Sequence, residues 1–312
     1  MEYVNLIVQQ LIIFAIFALI GIYAIKRSIL DETGLNYLSQ LIIKITLPIM
    51  LFYNTLTGAT KEELLQGIPV IFISIIFYGI LILICCSLKN VFHIIEEKGN
   101  VYLASSLFGN VGFIGIPIIS SLFPQKGMLY IALFTIVDQL LLWTLGLSLT
   151  SKKGESTFQL KSLQKMINPS TIAIVLAIAF VLFNIHLPQT FLTAFGKIGN
   201  VTSPLAMIYL GGIFCYIDLF DCFKQKEFYG TIFIKMLILP ILFYCMMINY
   251  TSFTQDLVMT MAILMGLPTM SSVAMLAKSH ECYGEYSSGC VLLTTIASLF
   301  TLPVICFVIN FV

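Results

Sequence analysis

Two short segments of this chain combine residue types able to hold a small anion in an otherwise apolar setting. The first is Gly109-Asn110-Val111-Gly112-Phe113-Ile114-Gly115-Ile116-Pro117, in the middle of the apolar stretch 101–123. The second is Gly266-Leu267-Pro268, followed by Thr269, Ser271 and Ser272, in the middle of 257–278. Each interrupts a helix-length run, so each leaves backbone groups that a helix would have paired. Proline suits the first turn of the helix half that follows, where its missing N–H would be unpaired anyway. Hydroxyls beside free N–H groups at the positive end of a helix dipole make a ready anion site. Asn110 supplies both donors and acceptors. Gly112, Gly115 and Gly266 let backbone and ligand approach closely. The chemistry expected is binding of a carboxylate by Asn110, Pro117, Pro268, Thr269, Ser271 and Ser272 with those glycines. The competing reading is a pair of proline kinks satisfied by neighbouring helices.

Asp138 is the one acid in the middle of an apolar stretch. An intramembrane carboxylate is expensive and is a functional residue by default. It could carry a proton or cation coupled to movement of a ligand, or hold a structural hydrogen bond. Lys44 is expected either to snorkel to the interface, or to place a fixed positive charge near the cavity or pair with Asp138. Lys235 is expected to snorkel.

These residues must be positioned by membrane-embedded helices. Of 312 residues, 59% are hydrophobic and only 10% charged, and the mean hydropathy is +1.01. A soluble domain is nearer 45–50% apolar and about 25% charged. A spanning helix needs roughly 20 apolar residues. The pattern predicts ten spans, near 4–25, 35–57, 67–89, 101–123, 127–150, 169–185, 199–219, 229–250, 257–279 and 286–310. Loops after odd-numbered spans hold Lys26, Arg27, Lys89, Lys98, Lys152, Lys153, Lys161, Lys165, Lys224, Lys226 and Lys278, whereas loops after even-numbered spans hold Lys61, Lys126 and Lys197. By the positive-inside rule the first set faces the cytoplasm and both termini face out. A Lys- and Ser-rich linker, 151–168, separates 1–150 from 169–312. Five spans on each side of it require any repeat to be inverted. Leu47-Pro48 and Ser203-Pro204, then Pro117 and Pro268, recur at similar separations and suggest such a repeat. Paired broken spans of this kind point to the binding site of a secondary transporter.

Other classes find little support. The eight cysteines are scattered without paired spacing, and the three histidines are isolated, so neither a disulfide framework nor a metal site is expected. Phosphate-loop, nucleophile-elbow and metal-ligand motifs are absent, which argues against an enzyme. A net charge of +1 implies no nucleic-acid partner. Glu2 with Lys26-Arg27 after the first span is the reverse of a secretory signal. Fifteen lysines against one arginine, with abundant isoleucine, suggest an AT-rich bacterial genome.

At these residues the chain resembles the auxin efflux carrier family, which includes the plant PIN carriers and bacterial malate and malonate permeases. The resemblance is carried by Gly109 to Pro117, Asn168-Pro169, Ser203-Pro204-Leu205 through Leu210-Gly211-Gly212, Gly266 to Thr269, Ser298-Leu299 through Leu302-Pro303, and Gln139 with Trp143. It implies an all-α membrane protein with ten transmembrane helices in two inverted five-helix repeats, their fourth and ninth spans broken and crossed, as in NhaA and the bile-acid symporters. It also implies an elevator mechanism. Spans 1, 2, 6 and 7 would form a scaffold that dimerises, with Lys44 and Pro48 able to line the cavity, and spans 3–5 and 8–10 would carry Asn110, Pro117, Asp138, Gln139 and Pro268 with the substrate. That substrate would be a small organic anion, no cofactor would be needed beyond a coupling H+ or Na+, and the location would be a bacterial cytoplasmic membrane. A membrane sensor with a carrier fold is the alternative from another class.

Overall fold

The computed structural model describes residues 2–58, 60–94, 96–123, 126–152 and 169–309. Lys153, Lys161, Lys165, Asn168 and most of the predicted linker lie outside them. The described residues are helical almost throughout. In chain order the main helices are α1 (Glu2–Lys26), α2 (Glu32–Gly58), α3 (Ile68–Val91), α4 (Glu96–Leu107), α5 (Val111–Leu122), α6 (Lys126–Leu149) and α7 (Pro169–Leu182). They continue with α8 (Gln189–Asn200), α9 (Thr202–Phe214), α10 (Lys226–Tyr250), α11 (Gln255–Met265), α12 (Ser271–Ser279) and α13 (Gly284–Ile309). Six of these, α1, α2, α3, α6, α10 and α13, are long and apolar enough to cross a membrane unbroken. The predicted fourth and ninth spans are each two helices, α4 with α5 and α11 with α12. The predicted seventh begins earlier than expected, because Gln189–Asn200 is already helical and packs on α2 before a break at Val201.

Burial divides the helices into an outer and an inner set. α1 and α3 expose Ile12, Ile16, Leu19, Phe72, Ile76 and Leu83. Such a band would be an aggregation hazard in water and is at home in lipid. By contrast, Leu257 through Met265 of α11 and Val101 through Leu107 of α4 are all buried. Apolar residues on every face mark a helix surrounded by other helices. The broken elements therefore sit inside the protein, where irregular backbone can be tolerated.

Three of the prolines explain local widening of the helices. Pro48, Pro117 and Pro240 each follow a π-helical stretch: Ile42–Thr46, Val111–Gly115 and Thr231–Ile238. A proline ring clashes with the carbonyl four residues back. Those residues, Lys44, Phe113 and Met236, lie inside the widened turns, which relieve the clash without ending the helix. Pro117 is thus well inside α5, whereas Pro268 lies in extended chain ahead of α12. Of the four prolines that suggest a repeat, Pro117 and Pro268 do not occupy equivalent places.

Two groups of contacts dominate the packing. α1 lies along α9, and α2 along α7 and α8. Separately, α3 packs on α4 and α6, and α13 packs on α10 and α12. Loops that the charge count assigns to one side are joined by ion pairs, Lys278 with Glu32 at 3.0 Å and Lys152 with Glu281 at 3.1 Å. The α1–α9 contact is closest at glycine. A Cβ at Gly21 would stand 2.0 Å from the Ile208 carbonyl oxygen, and one at Gly211 2.0 Å from that of Ala18. Backbone cannot yield locally there, so the helices must separate. Gly21→Val is expected to destabilise the protein by about 3 kcal/mol, the upper range for overpacking, seen as a lowered Tm in detergent with the Gly79→Val control near wild type, because nothing lies within 4 Å of a Cβ at Gly79.

Candidate functional site

The two breaks meet. Asn110 N–H donates to the Pro268 carbonyl at 2.8 Å, and Met270 N–H donates to the Phe108 carbonyl at 2.9 Å, an antiparallel bridge centred on Gly109 and Thr269. Each break thereby satisfies the other's backbone, as buried polar groups require. Further bonds fasten the junction. Thr269 Oγ1 donates to the Ser105 carbonyl at 2.8 Å, and its N–H donates to Thr294 Oγ1 at 3.1 Å. Gly109 permits the approach: a Cβ there would lie 3.2 Å from Leu267 Cβ.

From this junction two helices start. Asn110 caps α5, its Oδ1 accepting from Phe113 N–H at 3.3 Å, and its Nδ2 donates to Ser271 Oγ at 3.4 Å. One amide thus ties the starts of α5 and α12 together and keeps a second N–H for a ligand. α12 follows Met270, whose thioether side chain makes no capping bond, so the first N–H groups of α12 are not met by a cap.

Both starts open onto a cleft of about 650 Å³, counting its open mouth. Asn110, Val111, Gly112, Phe113 and Ile116 of the α5 segment, with Met270 and Ser272, form one wall. Thr135, Gln139, Leu142 and Trp143, one face of α6, form the second. Ile43, Leu47 and Leu51 of α2, with Pro169 and Ser170 of α7, close it. Mostly apolar walls with a few polar groups are usual in small-molecule sites. No lysine or arginine is among the lining residues. The cleft lies between the α2 and α7 group and the elements that carry the breaks.

Of the expected contacts, Asn110, Gly112, Gln139 and Ser272 line this cleft. Gly115, Pro117, Gly266, Pro268, Thr269 and Ser271 are not among its lining residues. A Cβ at Gly115 would strike Leu267 Cδ1 at 2.8 Å, and one at Gly266 would strike Ile305 Cδ1 at 2.6 Å. Those two glycines serve helix packing. Lys44 and Pro48 are not lining residues either. Lys44 is exposed and donates to Gln40 Oε1 at 3.0 Å, while Ile43, Leu47 and Leu51 take the cleft-facing positions at four-residue spacing. That spacing was readable in the sequence. Ser170 and Thr135 carry no comparable signal.

Asp138 is fully buried one residue from the lining face. It accepts a hydrogen bond from the Tyr78 hydroxyl of α3 and another from Gln139 Nε2 at 3.2 Å, and Trp143 Nε1 donates to Gln139 Oε1 at 3.2 Å. The chain Tyr78, Asp138, Gln139, Trp143 connects α3 to the cleft. Lys235 corrects the sequence expectation. It does not snorkel but is 2% exposed, and its Nζ donates to the Leu267 carbonyl at 3.0 Å, at the broken end of α11. Nine residues into α10 is too deep for its stem to reach the interface, and the unpaired carbonyls at a helix C-terminus attract a cation. Lys235→Met, which leaves the buried Leu267 carbonyl without its donor, is expected to destabilise the protein by about 1–3 kcal/mol, read as a lowered Tm in detergent; an unchanged Tm would show that the bond contributes nothing to the fold.

All eight cysteines are free, and no cluster of three or more potential metal ligands occurs among the described residues. Comparison with known proteins supplies the class. An uncharacterized transporter of Methanocaldococcus jannaschii is 27% identical over 209 residues, 64% of this chain and 66% of that protein, just under two thirds of its length. A family model described as membrane transport protein matches residues 6–306. That is a family of transporters and not of enzymes, and this chain, a multi-pass membrane protein, belongs to it.

Proposed function

We propose that the protein is a secondary active carrier for a small organic monocarboxylate, working by an elevator motion across a cytoplasmic membrane. The observation that carries this reading is the opening of two half-helix N-termini, at Asn110-Val111 and Met270-Ser272, onto one apolar cleft. Fixed N–H dipoles stabilise one negative charge without a cation. Two charges in the same low-dielectric space would call for Lys or Arg, and none lines it. The ligand of this reading is a monocarboxylate with an apolar body, in preference to malate or malonate. Asn110 and Ser272 bind the carboxylate, while Leu47, Leu51, Phe113 and Trp143 cover the body. The mobile unit comprises α3–α6 and α10–α13, with crossed broken helices, and slides against α1, α2 and α7–α9. A cleft at the seam between the two groups supports that division, since one side of the site can then move past the other.

In this reading Asp138 holds the coupling proton. It is the buried acid nearest the cleft, and Gln139 links it to the lining face.

With phenylacetate and hexanoate as probes for purified protein, Asn110→Ala and Ser272→Ala are each expected to weaken binding roughly 10- to 100-fold, the worth of a charge-assisted hydrogen bond. Lys44→Ala, away from the cleft, leaves it within about twofold. Unchanged affinity in the Asn110 and Ser272 variants removes the anion site from this cleft. In proteoliposomes, Asp138→Asn is expected to lose accumulation driven by a pH gradient while keeping exchange of labelled probe. Accumulation that survives the substitution assigns the proton elsewhere. Binding without flux in the wild type favours a sensor.

A further inference from the structure

The α6 wall of the cleft holds a hydroxyl that the fold does not use. Thr135 is 4% exposed and lines the cleft, yet its Oγ1 has no hydrogen-bond partner among the described residues. A threonine in a helix ordinarily returns its hydroxyl to the carbonyl four residues back. Thr144 and Thr150, on the same helix, do so: Thr144 Oγ1 donates to the Leu140 carbonyl at 2.7 Å and Thr150 Oγ1 to the Gly146 carbonyl at 2.9 Å. Thr135 forgoes that bond. Thr46, Thr202, Thr260, Thr295 and Thr301 also hold partnerless hydroxyls, but of these six threonines Thr135 is the one among the lining residues of the cleft. A buried polar group left unpaired is costly, and a cleft is where a ligand atom could pair it.

One turn along the same face, Gln139 is oriented by two bonds. Its Nε2 gives one hydrogen to Asp138, and its Oε1 takes the Trp143 N–H. The second Nε2 hydrogen remains. The α6 wall thus holds two unused donors on neighbouring turns, the remaining Gln139 N–H and the Thr135 O–H, which lies beneath the cleft surface and reaches a ligand by rotation about χ1. An oxygen atom accepts from both.

Resting on the carboxylate reading above, we propose that Thr135 is a specificity-determining residue of a second polar subsite, which selects monocarboxylates bearing a hydroxyl or keto oxygen on the apolar body. The carboxylate binds at Asn110 and Ser272, and the oxygen substituent binds at Thr135 and Gln139. Thr135 has no role in holding the fold.

The test compares purified wild type, Thr135→Val and Thr135→Ser. Probes are hexanoate with its 3-hydroxy and 6-hydroxy derivatives, and phenylacetate with its 2-hydroxy and 4-hydroxy derivatives. Calorimetry gives affinities, and thermal unfolding without ligand gives stability. The wild type is expected to prefer one oxygenated derivative over its parent by about tenfold, the value of one hydrogen bond. Thr135→Val should reduce that preference to within about twofold, leave parent affinities unchanged, and keep or raise the ligand-free Tm. Thr135→Ser should restore the preference. A preference that survives Thr135→Val, the absence of any preference in wild type, or a fall in ligand-free Tm overturns the inference while parent binding leaves the carboxylate site standing. Failure of every probe to bind wild type overturns both.

Discussion

Two backbone hydrogen bonds, Asn110 to Pro268 and Met270 to Phe108, are the constraint on which the rest depends. Interrupting a helix inside an apolar medium exposes N–H and C=O groups that lipid cannot satisfy. Here each interruption is the partner of the other, so neither could exist alone. The requirement propagates outward. Both breaks must be buried, hence helices apolar on every face around them. They must stay in register, hence the bonds from Thr269 to α4 and α13. The strand-like contact leaves no room for large side chains, hence Gly109. What remains without a side-chain cap after these demands are met is the start of α12, beside the Asn110-capped start of α5, and both starts face the cleft.

The electrostatics of the junction follow from the same break. Splitting one helix into two creates a negative end and a positive end side by side. The negative end of α11 is met by Lys235, drawn from α10. The positive ends at α5 and α12 are met differently: α5 by the Asn110 side chain, α12 by no capping side chain. The protein therefore supplies its own cation where carbonyls accumulate and leaves the N–H end for something else. A residue that reads as a surface-seeking lysine in a hydropathy profile is thus part of the core, because its partner is a backbone carbonyl that no profile displays.

How much of this was legible in the sequence depends on the kind of signal. The class, the helical segments and both interruptions were, because apolar length and Gly-Pro punctuation are local. Asn110 was, because it stands inside an interruption. The matched prolines gave a weaker guide: Pro117 is absorbed by a widened turn inside α5, while Pro268 sits in the gap itself. The pairing of Asp138 with Tyr78, 60 residues away, and of Lys235 with Leu267 is long-range and leaves no mark on local composition. Lys44 and Pro48 illustrate a phase error. The helix was right, but the face turned toward the cleft is the neighbouring one of Ile43, Leu47 and Leu51. Thr135 shows the limit most clearly, since whether a threonine hydroxyl returns to its own helix cannot be read from residue type.

The burial of Asp138 and Lys235 within one group of helices has an electrical consequence. Ionised together, their charges cancel, and the Lys98–Glu227 pair at 3.1 Å in the same group adds nothing to the sum. In the carrier proposed above, the buried charges of an empty mobile unit would then sum to zero. A bound monocarboxylate would add one negative charge, worth about 2.3 kcal/mol per 100 mV. A proton accompanying it would return the sum to zero. The same two buried residues thereby make the coupling proton the switch between a voltage-sensitive passage and an electrically silent one.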